Sequence, residues 1–187
     1  RGPGFINKLA VNPVTGDIWA VGYYNIDRML LVVFDKFLGV KHVVDYSADD
    51  RNYIGSLSGI CFDEVGNAYV SGYNGVAKFD QGGNIVAVNK DVGGNDIACI
   101  GDKLYLNSSE VTSDSRHRHL LYVLDSELRT LDRMVLNTPG TDAGFGYHSL
   151  AFDSRHLYVA GYDLTPKKRI AVYAVEVGRV SGTRVWR

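Results

Sequence analysis

The chain has 187 residues, with 20 Lys and Arg against 21 Asp and Glu for a formal net charge of −1. That balance gives no bulk attraction to nucleic acid or to an anionic membrane, and an apolar fraction of 45% suits one ordinary globular domain. The longest apolar run, Met29 to Phe34, falls far short of the roughly 20 residues a membrane helix requires, so no membrane insertion is expected.

The first repeat pairs Leu9-Ala-Val-Asn with Asp17-Ile-Trp-Ala-Val-Gly-Tyr23. A third apolar strand, Leu31-Val-Val-Phe-Asp35, and a fourth from Gly39 to Val44 complete it. The second repeat runs from Ile60-Cys-Phe-Asp to Ala68-Tyr-Val-Ser-Gly-Tyr73, then Val76-Ala-Lys-Phe-Asp80 and Asn84 to Val88. In the third, Ile97-Ala-Cys-Ile and Leu104-Tyr-Leu-Asn-Ser108 precede a long loop from Glu110 to His119, the strand Leu121-Tyr-Val-Leu-Asp125 and the strand Leu131 to Leu136. The fourth has Leu150-Ala-Phe-Asp, Leu157-Tyr-Val-Ala-Gly-Tyr162 and Ile170-Ala-Val-Tyr-Ala174, without the acidic turn of the other three.

The aromatic anchor of each second strand is Trp19, Tyr69, Tyr105 and Tyr158, at spacings of 50, 36 and 53 residues, a propeller-blade period. Alternation of period two and the absence of a sustained 3.6-residue period predict strands throughout. Four such meanders each leave an apolar face uncovered unless they stack about an axis. The predicted class is therefore all-β, a β-propeller with four four-stranded blades at about 5–46, 56–90, 94–136 and 147–187 of a single domain, 1–187. Four blades fit a small ring, a fragment of a larger propeller, or half of an oligomeric ring. The anchors read as packing between blades. Asp35, Asp80 and Asp125 recur at one turn position and read as turn acceptors. Cys61 and Cys99 fall on adjacent repeats at strand positions that face opposite ways, so a disulfide between them is not expected and both read as small buried apolar residues. The chain opens on Arg1 rather than Met, which points to processing or truncation. A soluble protein is expected, and a processed N-terminus is compatible with a secreted or cell-surface one.

Gly59-Ile-Cys-Phe-Asp-Glu-Val-Gly-Asn-Ala-Tyr-Val-Ser-Gly-Tyr73, with Ala77-Lys-Phe-Asp80 and Gly83-Asn84 behind it, resembles an NHL or SBBP-type propeller repeat. The resemblance is strongest in the second repeat and weakest in the third. It implies a superfamily that includes protein-binding, RNA-binding and secreted members as well as lactonases and lyases, and no single activity.

Functional residues are expected at the channel mouth and on the loops. Aligning the repeats on Leu9, Ile60, Ile97 and Leu150 places Asn7, Ser58, Asn95 and His148 in a polar ring, with Asp96 beside it and Tyr147 in the preceding loop. Their ordinary role would be to cap the entering turns and hold water. A lactonase-type calcium site would draw on several carboxylates, and the ring supplies one. No metal or cofactor is therefore expected, with calcium the alternative. His148 is the candidate catalytic acid or base, since imidazole titrates near neutrality. No G-x-S-x-G elbow accompanies it.

Arg116-His-Arg-His119 and Lys167-Lys-Arg169 are expected to form a basic patch across neighbouring blades, faced by acidic Asp45, Asp49 and Asp50. Tyr23, Tyr24, Asp49, Asp50, Arg51 and Tyr53 are expected to line the partner surface on the first blades. Arg116, Arg118, Lys167, Lys168 and Arg169 extend it on the last two. A protein partner or self-association suits that polarised face, and nucleic acid is the alternative through the basic loops. The reading is a non-enzymatic binding or assembly scaffold. Its alternative is a lactonase-like hydrolase or lyase at the channel mouth.

Overall fold

Four sheets of four antiparallel strands each follow chain order, and no helix occurs among the described residues. The computed structural model describes residues 4–25, 27–111, 113, 117–136, 145–153, 155–163, 170–176 and 184–186. Residues 117, 145–148, 162–163, 170–171, 173 and 184–186 are described by their backbone. Blade 1 contains β1 (Phe5–Val11), β2 (Ile18–Asn25), β3 (Arg28–Phe34) and β4 (Val40–Ser47). Blade 2 contains β5 (Leu57–Phe62), β6 (Ala68–Gly72), β7 (Gly75–Phe79) and β8 (Ile85–Asn89). Blade 3 contains β9 (Asp96–Ile100), β10 (Lys103–Val111), β11 (His117–Asp125) and β12 (Thr130–Leu136). Blade 4 contains β13 (Phe145–Phe152), β14 (His156–Asp163), β15 (Ile170–Glu176) and β16 (Arg184–Trp186).

The first strands form the inner wall: β1 packs on β5, β5 on β9, and β9 on β13. No comparable packing joins β13 back to β1 among the described residues.

Turn chemistry defines the hairpins. Asp35, Asp80 and Asp125 each accept from the backbone N–H groups two and four residues on, at 2.8–2.9 Å, as turn acceptors do. The fourth residue of that turn takes a left-handed φ, as Leu38, Gly83 and Leu128. Leucine there costs about 1 kcal/mol that glycine avoids. Leu128 offsets it by burial in the core, whereas Leu38 is exposed.

Blades adhere through anchor residues. Trp19 is fully buried and meets Phe62 and Phe79 of blade 2 edge-on, with ring centroids 5.5 and 6.2 Å away. Tyr69 is fully buried among blade 3 residues, and its hydroxyl lies 3.4 Å from the Ser126 carbonyl. Tyr105 joins Leu157 and Val159 of blade 4. Each fully buried large apolar side chain contributes about 2 kcal/mol against about 1 for a net hydrogen bond, so these seams are held mainly by apolar burial.

Two sequence expectations are corrected. Cys61 and Cys99 form a disulfide, with Cα atoms 5.6 Å apart. Their opposite directions are what join them: blades stack face to back, so a residue leaving blade 2 on one face meets a residue on the other face of blade 3. Similarly, Glu110 to His119 is not all loop, because β10 and β11 stay paired as far as Val111 and His117. Alternation then turns His119 inward, where it is 3% exposed, and removes it from the expected basic patch.

Gly59 is required by the close approach of blades 2 and 3. A Cβ there would stand 2.5 Å from Ser71 Oγ, 2.7 Å from Asp96 Cα and 2.8 Å from Ile97 N. Gly59→Ala is expected to cost about 3 kcal/mol by overpacking, because two of those atoms are backbone and cannot rotate away. A thermal melt within error of wild type would show that the seam yields freely.

Candidate functional site at the channel mouth

The polar ring sits on a repeated irregularity. The ladders shift register at Asn7, Ser58 and His148, and in blade 3 the Asn95 N–H bonds the Asn107 carbonyl, beside the Asp96–Asn107 pair. A bulge frees a side chain from the alternation and re-aims it. Asn7 Nδ2 donates to the Leu57 carbonyl of blade 2 at 2.6 Å, and Ser58 Oγ to the Gly94 carbonyl of blade 3 at 3.0 Å. Both bonds tie one blade to the entering strand of the next.

Asp96 performs the same task between blades 3 and 4 and adds a charge. It is 2% exposed, accepts from the Leu150 N–H of blade 4 at 2.9 Å and from its neighbour Ile97 N–H at 2.9 Å, and forms an ion pair with Lys8 of blade 1. Three blades thus converge on one carboxylate. With Lys8 a third exposed and Asp96 buried, loss of the lysine would strand the charge in a dry setting.

A second buried polar pair lies outward on the same face of blade 3. His119 Nε2 and Asn107 Oδ1 are 2.5 Å apart, and since Oδ1 only accepts, Nε2 carries the proton. Burial holds the imidazole down at about 4, so it is neutral at physiological pH. Buried Ser71 Oγ and Asn107 Nδ2 find no partner among the described groups.

On the loop side, a cleft of about 240 Å³ between blades 2 and 3 is lined by Tyr73, Asp91, Gly94, Asn95, Ser109 and Tyr122. A larger cleft of about 350 Å³ opens on the opposite side beside Cys99, with Asp63, Glu64 and Asp102. Asp63 is committed there to the Val65 and Asn67 N–H groups, the Asn67 amide and the Tyr69 hydroxyl. Among the described residues no three His, Cys, Asp or Glu side chains lie together as a metal-binding group.

Asn7, Ser58, Asn95 and Asp96 lie along the inner wall, at or just before the first strands of successive blades. His148 and Tyr147 lie on β13 beside them by backbone position. Tyr23 stacks on Phe5 at 5.4 Å, and Asp49 and Arg51 are exposed. Tyr53 differs, being 9% exposed within the core of blades 1 and 2, so it offers a partner little surface. Arg118 is 3.7 Å from Glu110, which Arg133 holds at 2.6 Å, so part of the basic loop is neutralised within its own blade. Asp45 accepts from Arg28 Nε and Nη2 through its two carboxylate oxygens. Arg116, Lys167, Lys168 and Arg169 lie outside the described residues. Sequence reasoning missed Lys8, a lone charge within an apolar strand, and Asn107, which stands where the other repeats carry Val21, Ser71 and Ala160.

The four stacked meanders with their inner wall define a β-propeller fold. Solved structures agree on the fold alone. A subtype N11 neuraminidase-like protein of A/flat-faced bat/Peru/033/2010 (H18N11) is similar at 14% identity and a TM-score of 0.63, over 98% of this chain and 52% of that one. A putative 6-phosphogluconolactonase from Bacteroides uniformis gives 15% identity and a TM-score of 0.56 over 95% and 55%, respectively. The WD40 domain of SCAP from fission yeast gives 13% and 0.52 over 98% and 45%. The chain spans about half the length of these structures. No protein-family profile and no curated protein sequence matches it.

Proposed function

We propose that the protein is a non-enzymatic binding or assembly module of the NHL/SBBP kind, presenting the loop faces of its blades to a protein partner. The observation that carries this reading is the engagement of the polar ring. Asn7 and Ser58 donate to the entering strand of the next blade, and the buried Asp96 is taken up by Leu150 of blade 4, Lys8 of blade 1 and its own Ile97 N–H, which makes them seam contacts rather than groups held ready for a substrate. The exposed groups with chemistry to offer are instead on the loops, including Tyr73, Asp49 and Arg51, and at the start of β11, where Arg118 stands. The Cys61–Cys99 disulfide favours an oxidising compartment, where such bonds persist, and so a secreted or cell-surface setting.

Affinity capture with the wild-type chain and with Arg51→Glu, Arg116→Glu, Arg118→Glu and Lys168→Glu variants tests the reading. A protein partner retained by the wild type and lost from one or more variants is the expected result. Turnover of lactones or esters that His148→Ala abolishes would replace it with the hydrolase reading. Ribonuclease-sensitive capture would replace the protein partner with RNA.

A further inference from the structure

We propose that the Cys61–Cys99 bond is exchangeable in the folded chain: an external thiolate reaches the Cys99 sulfur through the larger cleft, which admits cationic thiols in preference to anionic ones. The proposal goes beyond the partner reading and does not depend on it.

The bond crosses the seam between the two middle blades, with Cys61 on β5 and Cys99 on β9. A disulfide resists exchange where packed chain covers both sulfurs and yields to it where an attacking thiolate has access. Neither cysteine is fully covered here; both are half-buried. The cleft of about 350 Å³ is lined by Cys99, and among the described residues its partner Cys61 takes no part in the lining. Tyr69 and Leu104 of the seam core line it further in. Gly101 stands at its mouth, where an added Cβ would meet nothing within 4 Å. One end of the disulfide therefore faces an open approach, and that end is Cys99.

The charge around the approach decides which thiols use it. Asp63, Glu64 and Asp102 line the cleft, and no Lys, Arg or His does so among the described residues. Nearby cations are engaged or turned away. Lys78 pairs with Glu127 at 3.1 Å and Arg129 with Asp125 at 2.7 Å. Lys103 alternates onto the face of Tyr105, which packs toward blade 4. A cleft lined by one sign of charge concentrates the opposite sign and repels its own.

In the first step the external thiolate sulfur bonds to Cys99 Sγ as the Cys61–Cys99 bond breaks, and Cys61 leaves as a thiolate that takes a proton from water. A second external thiolate then attacks the reagent sulfur of that mixed disulfide. Cys99 is released as a thiolate, which is protonated in turn, and the reagent departs as its own disulfide. Two external thiols have then given two electrons to the protein. The blades stay together meanwhile, because Tyr69, Ile97, Leu104 and Leu124 still hold the seam. The two cysteines, with Cα atoms 5.6 Å apart, thus remain placed for the reverse reaction with an external disulfide. The bond acts as a reversible lock on the middle seam.

Reduction of the whole folded chain by cysteamine and by glutathione, quenched with a maleimide and read by intact and peptide mass, is the test. The rate is expected to rise in proportion to thiol concentration without unfolding. The trapped intermediate should carry the reagent on Cys99 and the maleimide on Cys61. Per thiolate, the cysteamine-to-glutathione rate ratio should be about 10-fold higher in the folded chain than in the urea-unfolded one. Glu64 and Asp102 are exposed, so Glu64→Gln/Asp102→Asn should fold as wild type does and bring the ratio down toward the unfolded value. A reduction rate equal to that of global unfolding whatever the thiol concentration would overturn the proposal. So would a reagent adduct on Cys61, or the same ratio in folded and unfolded chains.

Discussion

Loss of the Cys61–Cys99 disulfide is expected to lower the unfolding free energy by about 4 kcal/mol, the loop-closure value for cysteines 38 residues apart. The closed loop contains β6, β7, β8 and the crossing into blade 3. Cutting the bond therefore frees a whole blade in the unfolded chain while removing no apolar seam. Urea unfolding of Cys61→Ala/Cys99→Ala should show a lower midpoint, and reductant should move wild type to the same place while leaving the variant unchanged. An unchanged midpoint in both would mean that the apolar contacts around Tyr69 already hold the seam without the covalent link. A stabilisation of this size is a large part of the 5–15 kcal/mol available to an ordinary domain, and the protein should be sensitive to a reducing compartment.

Acidification from pH 7 to 4 should destabilise the chain by about 3 kcal/mol through His119 alone. The imidazole titrates near 6.5 when unfolded and at about 4 in the folded chain, because burial disfavours its charged form. The unfolded state therefore takes up the proton first. The contribution is fully present above pH 6.5 and is lost progressively as pH falls toward 4. His119→Gln keeps an amide donor for Asn107 and removes the titration, so its stability should be flat across that window. Carboxylates act lower. Asp153 is held at about 2, first by the Arg155 and His156 backbone N–H groups, and Asp80 is lowered by the Asn84 side chain. Their contributions are present above about pH 4 and are lost below it, which separates the two limbs of an acid unfolding curve. An equally steep loss between pH 6.5 and 4 in His119→Gln would place the origin elsewhere.

The difference between those two residues shows how far sequence reasoning reaches. Asp80 was legible because its role is local: an acidic residue, two glycines and an asparagine after an apolar run make one turn wherever they occur. Asp35 and Asp125, without those glycines, were legible from their recurrence at the same place after an apolar run, and the strands and four aromatic anchors from alternation and repeat. His119 was not legible, because a polar loop and an extended hairpin share one composition, and pairing of Val111 with His117 decides which face the imidazole takes. Tyr53 reads as an exposed loop aromatic until the cleft between blades 1 and 2 is there to receive it.

By itself, then, the amino-acid order determined the strands, their turns, the repeat and its propeller class, since all of these follow from contacts within a few residues or from one pattern repeated. Only the tertiary structure decided what meets across the seams: Cys61 with Cys99, Lys8 with Asp96, Asn7 with the Leu57 carbonyl. The physical reason is the stacking of blades face to back. It brings together side chains that leave their own sheets in opposite directions, and no periodicity within a strand reports which residue of the next blade stands opposite.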